Sequence, residues 1–123
     1  MTQDISKEIE QLSQKYMDRS SDELFYLFLQ EWGKVQPTGK LPVRGNAKDF
    51  WQGVKQKLVV RILKNRDTIS ATVEFLLGVV TAEVVRWALS VGINLNIALL
   101  PIAIFVALIT QSVLDQLKAD KSK

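Results

Sequence analysis

The sequence predicts an all-α protein of about five helices, with the last two forming an apolar helical hairpin. Apolar residues recur three and four positions apart along most of the chain, which is the spacing of one face of an α-helix. No segment shows the strict alternation of apolar and polar residues that is typical of a half-buried strand. The 28 residues between Arg86 and Asp115 carry no formal charge, so the last two helices are expected to lie in apolar surroundings.

The first three predicted helices carry charged residues beside an apolar side. The first covers about residues 3–18. Ser20 and Glu23 then form a capping-box pattern, in which the Ser side chain accepts a hydrogen bond from a free amide and the Glu side chain reaches back to the cap. They begin a second helix, which we expect to end at Gly33. The third helix, about residues 47–65, is strongly basic.

The ends of the last two helices are predicted from capping residues. Asp67 is a suitable cap for the fourth helix, and Gly92 is a suitable stop. The fifth helix has two possible starts. If Asn94 or Asn96 caps it, Pro101 lies inside the helix and removes a hydrogen bond. If Pro101 is the first helical residue, the apolar part is only fourteen residues long, which is too short to cross a membrane.

These features divide the chain into three parts. Residues 1–66 form a charged, helical and cytoplasmic part, with an irregular loop over residues 33–46 that contains three glycines and two prolines. Residues 67–117 form the apolar hairpin, and residues 118–123 form a charged tail. Because the first twenty residues lack the basic and apolar regions of a secretory signal, the amino terminus is expected in the cytoplasm.

The composition argues against catalysis. The chain has no cysteine and no histidine, so the commonest metal ligand and the commonest general base are missing. Glu74 and Glu83 are nine positions apart, which places them on roughly opposite sides of a helix rather than in a carboxylate pair. The loop sequence GKVQPTGK lacks the spacing of a phosphate-binding loop. We therefore expect a protein that is not an enzyme and has no metal and no cofactor.

The leading interpretation is a self-associating membrane protein whose hairpin anchors it or lines a pore. Basic residues precede the fourth helix and follow the fifth, whereas the turn between them has none. By the positive-inside rule, this arrangement predicts an inner (cytoplasmic) membrane protein with both termini in the cytoplasm. Glu74, Glu83 and Arg86 oppose insertion of the fourth helix, because each disfavours it by ~2.5–3.5 kcal/mol near the bilayer centre.

The alternative is a soluble cytoplasmic adaptor or assembly module. Three short amphipathic helices are not expected to cover both apolar helices within one chain. A soluble form would therefore have to oligomerise through helices 4 and 5. Both interpretations predict a homo-oligomer, and the membrane interpretation adds lipid as a partner. Residues 1–46 could bind a protein partner.

Two groups of residues are candidates for these contacts. Assembly or a pore is predicted to involve Glu74, Gly78, Ala82, Glu83, Arg86 and Pro101. Gly78 and Ala82 have the small-xxx-small spacing that lets two helices approach closely, although ordinary packing gives the same spacing. Contact with a membrane surface or a partner is predicted to involve Trp51, Lys55, Lys57, Arg61 and Lys64. Nucleic acid is not expected as a partner, because no nucleic-acid-binding motif accompanies the basic residues.

Overall fold

The structure is a computed structural model, which describes residues 2–35 and 47–121. These residues form five α-helices and no strand, so the prediction of an all-helical chain with five helices is confirmed. The helices are α1 (Thr2–Gln14), α2 (Ser21–Val35), α3 (Ala47–Leu63), α4 (Val73–Ser90) and α5 (Leu99–Lys121), and a short 3₁₀ turn, Arg66–Thr68, follows α3. The predicted loop over residues 33–46 lies outside the described residues from position 36 onwards.

The start of α2 follows the predicted cap, but its end does not. The Ser20 hydroxyl accepts a hydrogen bond from the Glu23 amide at 3.2 Å, as a helix cap should. The Glu23 carboxylate pairs with Arg19 and raises the pKa of that guanidinium. The helix continues past Gly33 to Val35, because Trp32 is buried in the core and Val35 packs against the core. The predicted stop at Gly33 is therefore wrong.

The two ends of α4 also differ in how well the sequence predicts them. Asp67 lies in the 3₁₀ turn rather than at the cap, and the Thr72 hydroxyl caps α4 by accepting from the Phe75 amide at 3.4 Å. The predicted stop at Gly92 is confirmed, since this residue has a φ of +83°. The Gly92 amide donates to the Leu89 carbonyl and the Ile93 amide to the Ala88 carbonyl, at 3.2 and 2.9 Å.

Neither predicted start of the fifth helix is right. The helix begins at Leu99, so Pro101 lies in its first turn. The first helical hydrogen bond runs from the Ile102 amide to the Ala98 carbonyl, at 3.0 Å. The amides of the first turn have no partner within a helix, so Pro101 removes no helical hydrogen bond there.

Helix α5 is the centre of the core. It contacts each of the other four helices, and all ten residues from Pro101 to Thr110 are buried. Thr110 is the polar member of this run, and its hydroxyl donates to the Val106 carbonyl at 2.7 Å. Burying an apolar helix on every side removes its side chains from water, which is the main favourable term in folding. The chain therefore covers the uncharged part of α5 by itself.

This burial corrects the expectation that one chain cannot cover its apolar helices. Helix α4 is one of the covering helices, because it turns Leu76, Val80 and Val84 inward and leaves Phe75 and Leu89 partly exposed. The structure shows α5 shared among four neighbours and does not show α4 and α5 as a separate hairpin. Among the described residues, one helical stretch, Leu99–Ala119, is long and apolar enough to cross a membrane, and 61% of its most apolar part is buried.

Candidate functional site

Four exposed cations on α3, directly after it and on α4 form one surface, which we call the basic face: Lys57, Arg61, Lys64 and Arg86. The first three are four and three positions apart, and the Lys64 amide continues the helical pattern of α3 by donating to the Val60 carbonyl at 3.1 Å. They therefore lie on one side of that helix. The fourth comes from α4, which packs beside α3. Together with the nearby Glu83 carboxylate, the four cations give a formal charge of +3.

Glu83 links the two arginines of the basic face. Its Oε1 lies 3.4 Å from Nη1 of Arg86, and its Oε2 lies 3.8 Å from Nη1 of Arg61. The Glu83 side chain is 19% exposed, whereas those of Arg61 and Arg86 are 57% and 70% exposed. Glu83 and Arg86 are three positions apart and pair along α4, and the contact with Arg61 adds a link between helices. The two guanidinium groups thus converge over one carboxylate and keep their outer sides in solvent.

A shallow groove of about 400 Å³ lies between α3 and α4, and we call it the basic groove. It is lined by Lys57, Leu58, Arg61, Arg86, Trp87, Ser90 and Val91. Among these lining residues there are three cations and no acid. The half-buried Trp87 and Val91 provide an apolar wall beside the charges. The groove therefore combines positive charge with apolar surface.

Exposed apolar side chains flank the basic face. Val60 is 54% exposed on α3 and lines a second depression with Lys57 and Lys64. Leu89 is 51% exposed and follows Arg86 by three positions on α4. Cations beside exposed apolar side chains are typical of helices that lie against an anionic membrane surface.

The predicted surface contacts are only partly exposed. Lys57, Arg61 and Lys64 are exposed, whereas Lys55 is half-buried. Lys55 precedes Lys57 by two positions, which turns it away from the basic face. Trp51 is fully buried, so its prediction as a surface contact is wrong.

Trp51 is buried because it is the centre of an aromatic cluster that joins four helices. Its ring centroid lies 4.7–5.5 Å from five others, those of Phe28, Trp32, Phe50, Trp87 and Phe105. All five pairs have edge-type geometry, which aromatic rings prefer. The seven-residue spacing of Trp51 and Leu58, two helical turns, is the signal that would have placed Trp51 on the inner side of α3.

The predicted assembly residues lie in different places. Pro101 is in the core, and Glu74 is exposed in the first turn of α4. A Cβ at Gly78 would lie 3.7 Å from the Glu10 carboxylate, so this glycine faces α1. Ala82 is exposed on the outer side of α4. The structure brings Glu83 and Arg86 together with Arg61, and leaves the other predicted assembly residues apart.

A larger groove of about 520 Å³ lies between α2 and the start of α3. Its polar lining is balanced in charge, with Asp22 opposite Lys48 beside the exposed Tyr26. Balanced charge favours no particular ligand chemistry. The basic groove is smaller, but its one-sided charge makes it the better candidate site.

Metal-binding groups and similarity to known proteins were the remaining possible indications of function. Among residues 2–35 and 47–121, no group of three or more acidic side chains is arranged to hold a metal ion. In comparisons with protein-family models, with curated proteins and with solved structures, no match to the chain was found.

Proposed function

We propose that this chain is a non-enzymatic helical protein that associates with an anionic membrane surface through its basic face. The observation that carries the proposal is the combination of four clustered cations with exposed Val60 and Leu89. Each basic residue close to an anionic leaflet contributes about 1 kcal/mol of attraction. Apolar side chains add to that attraction when they enter the headgroup region.

Surface association fits the burial of α5 better than a hairpin that spans the membrane. In a spanning hairpin with both termini in the cytoplasm, α5 would lose its contacts with the other four helices and would contact lipid instead. Such a hairpin would also place Glu83 and Arg86 of α4 within the bilayer, where charge is strongly disfavoured. In the surface arrangement α5 stays in the core, and these charges stay in water.

Vesicle co-sedimentation tests the proposal. The detergent-free chain should bind phosphatidylcholine vesicles that contain an anionic lipid, and it should not bind phosphatidylcholine alone. Raising the salt concentration from about 0.1 M to about 0.5 M should release it, because salt screens exposed charges. Retention through a high-salt and alkaline wash would instead indicate a spanning hairpin.

Paired variants connect the binding to the basic face. Changing Lys57 and Lys64 to Gln removes two charges and should weaken binding by about thirtyfold, at about 1 kcal/mol per residue. Changing Lys7 and Lys15 to Gln removes the same charge from exposed positions in α1 and the turn after it. If both double variants bind equally well, the attraction depends on net charge alone and the basic face has no special role.

The second candidate function is an assembly module that acts in solution. Phe75, Ala82 and Leu89 are seven positions apart along α4, so they form one line on its outer side. Phe75 and Leu89 are 44% and 51% exposed. Self-association would use this line rather than α4 and α5 together, since α5 is buried. Sedimentation velocity should then show a dimer or larger species that Leu89→Lys converts to monomer, and a wild-type monomer at every concentration would exclude this candidate.

A further inference from the structure

We propose that the basic groove binds the phosphomonoester headgroup of an anionic lipid. This inference rests on the proposed membrane association and makes it specific, because it names the chemical group that the groove recognises. It depends on three features of the site: the convergence of two arginines, the charge of the groove and the size of the groove.

The two arginines are arranged to bind a phosphoryl group. Arg61 and Arg86 come from different helices, and both approach the Glu83 carboxylate, at 3.8 and 3.4 Å. Glu83 is mostly buried, so it holds the guanidinium groups from below while their outer sides remain exposed. A guanidinium can donate two parallel hydrogen bonds to phosphate oxygens. Two such groups, both drawn toward one carboxylate and both lining the groove, can contact several oxygens of one phosphoryl group.

The charge of the groove favours a phosphomonoester over a phosphodiester. Lys57, Arg61 and Arg86 supply three positive charges, and Glu83 removes one, which leaves a formal charge of +2. A phosphomonoester carries between about −1.5 and −2 at neutral pH. A phosphodiester carries a single negative charge and has fewer oxygens available to the arginines. The groove therefore matches the more highly charged headgroup.

The size and the apolar side of the groove favour a lipid over a polymer. A volume of about 400 Å³ is at the lower end for small-ligand sites and accommodates a phosphoryl group with the glycerol attached to it. Trp87 and Val91 supply an apolar wall. Leu89, exposed next to the groove, is positioned to enter the headgroup region of a bilayer at the same time.

The test compares two anionic lipids at the same surface potential. Phosphatidylcholine vesicles are prepared with either phosphatidate, a phosphomonoester, or phosphatidylserine, a phosphodiester. The chain should bind phosphatidate vesicles at least about tenfold more tightly, because of the additional charge-assisted hydrogen bonds. Equal binding to the two lipids would overturn the inference while leaving the membrane proposal intact. No binding to either lipid would overturn both.

Charge-conserving variants show whether the arginines cause the preference. Changing Arg61 and Arg86 to Lys retains both charges but removes the paired hydrogen-bond donors. The ratio of phosphatidate binding to phosphatidylserine binding should fall to about one. The matched control changes Lys7 and Lys15 to Arg, and its ratio should equal that of the wild type. A preference that survives the Arg61→Lys, Arg86→Lys change would contradict the inference.

A competition experiment identifies the source of the phosphomonoester, and one further substitution tests the geometry of the site. Glycerol 3-phosphate carries the same phosphomonoester without the acyl groups of the lipid. Because it lacks the bilayer contacts, it should displace the protein from phosphatidate vesicles only at about a hundredfold excess over the lipid headgroup. Displacement at an equal concentration would mean that the ligand is a soluble phosphomonoester and would overturn the lipid assignment. Glu83→Gln removes the carboxylate that both guanidinium groups contact, so the ratio of phosphatidate binding to phosphatidylserine binding should fall, and an unchanged ratio would contradict the site geometry.

Discussion

Replacing Trp51 by Ala tests the aromatic cluster that joins α2, α3, α4 and α5. Trp51 is fully buried, and five aromatic rings surround it with centroids within 5.5 Å. Truncating a buried Trp to Ala usually costs about 3–5 kcal/mol, and the edge-type ring contacts contribute about 0.5–1.5 kcal/mol each beyond burial. We therefore expect a loss of free energy of unfolding near the upper end of that range.

Urea unfolding followed by far-ultraviolet circular dichroism measures this loss. With a dependence of about 2 kcal/mol per molar urea, a loss of about 4 kcal/mol lowers the midpoint by about 2 M. Trp51→Phe keeps a ring and removes an indole Nε1–H that has no hydrogen-bond partner among the described residues, so it should cost less than Trp51→Ala. Tyr26→Ala is the exposed control and should change stability by less than about 0.5 kcal/mol.

Either of two results would show that Trp51 is not at the centre of this cluster. If Trp51→Ala and Tyr26→Ala cause the same small loss, Trp51 is not in the core. If Trp51→Ala leaves the stability unchanged but weakens vesicle binding, Trp51 is a surface contact and the arrangement of α3 is wrong.

Four other changes test separate parts of the fold by the same unfolding assay. Gln111 donates to the carbonyl oxygens of Met17 and Arg19 and accepts from the Ser21 hydroxyl. Gln111→Ala should therefore lower the free energy of unfolding by about 1–3 kcal/mol, and a loss below about 0.5 kcal/mol would show that these hydrogen bonds are not formed. Gly92→Ala should lower the free energy of unfolding by about 1–2 kcal/mol, because Gly92 has a positive φ. Gly53→Ala should raise it by about 0.5–1 kcal/mol, because Gly53 lies within α3 and an added Cβ would meet open space. Equal effects of the two substitutions would contradict the assigned backbone. Glu74→Gln should cost about 0.3–1 kcal/mol at low salt, since it removes a negative charge from the first turn of α4, and an unchanged stability would mean that α4 begins elsewhere.

The number of helices and several of their ends could be predicted because local chemistry determines them. Gly92 stops α4 because glycine accepts a positive φ more readily than other residues do. Ser20 caps α2 through a hydrogen bond to a residue three positions away. The stop at Gly33 is wrong because packing decides that end: Trp32 and Val35 keep α2 helical beyond the glycine. The start at Asp67 is wrong because the Thr72 hydroxyl caps α4 instead.

The surroundings of α5 and the site could be predicted only in part. An uncharged run has the same sequence signal whether lipid or other helices cover it, so the sequence did not reveal that four helices surround α5. The spacing of Lys57, Arg61 and Lys64 predicts a basic side of α3. The approach of Arg61 to Glu83 depends on how α3 packs against α4, which no local spacing reports.

Amide hydrogen exchange along α5 tests most directly whether this helix is the core of a water-stable bundle that binds a membrane at its surface. Ile102–Thr110 should exchange most slowly in detergent-free buffer, because opening this segment requires global unfolding. The same segment should remain equally protected on anionic vesicles, while the exchange of α3 around Lys57 and Arg61 slows. Rapid exchange of Ile102–Thr110 in buffer, with protection gained only in the presence of a bilayer, would contradict the account and identify α5 as a membrane span.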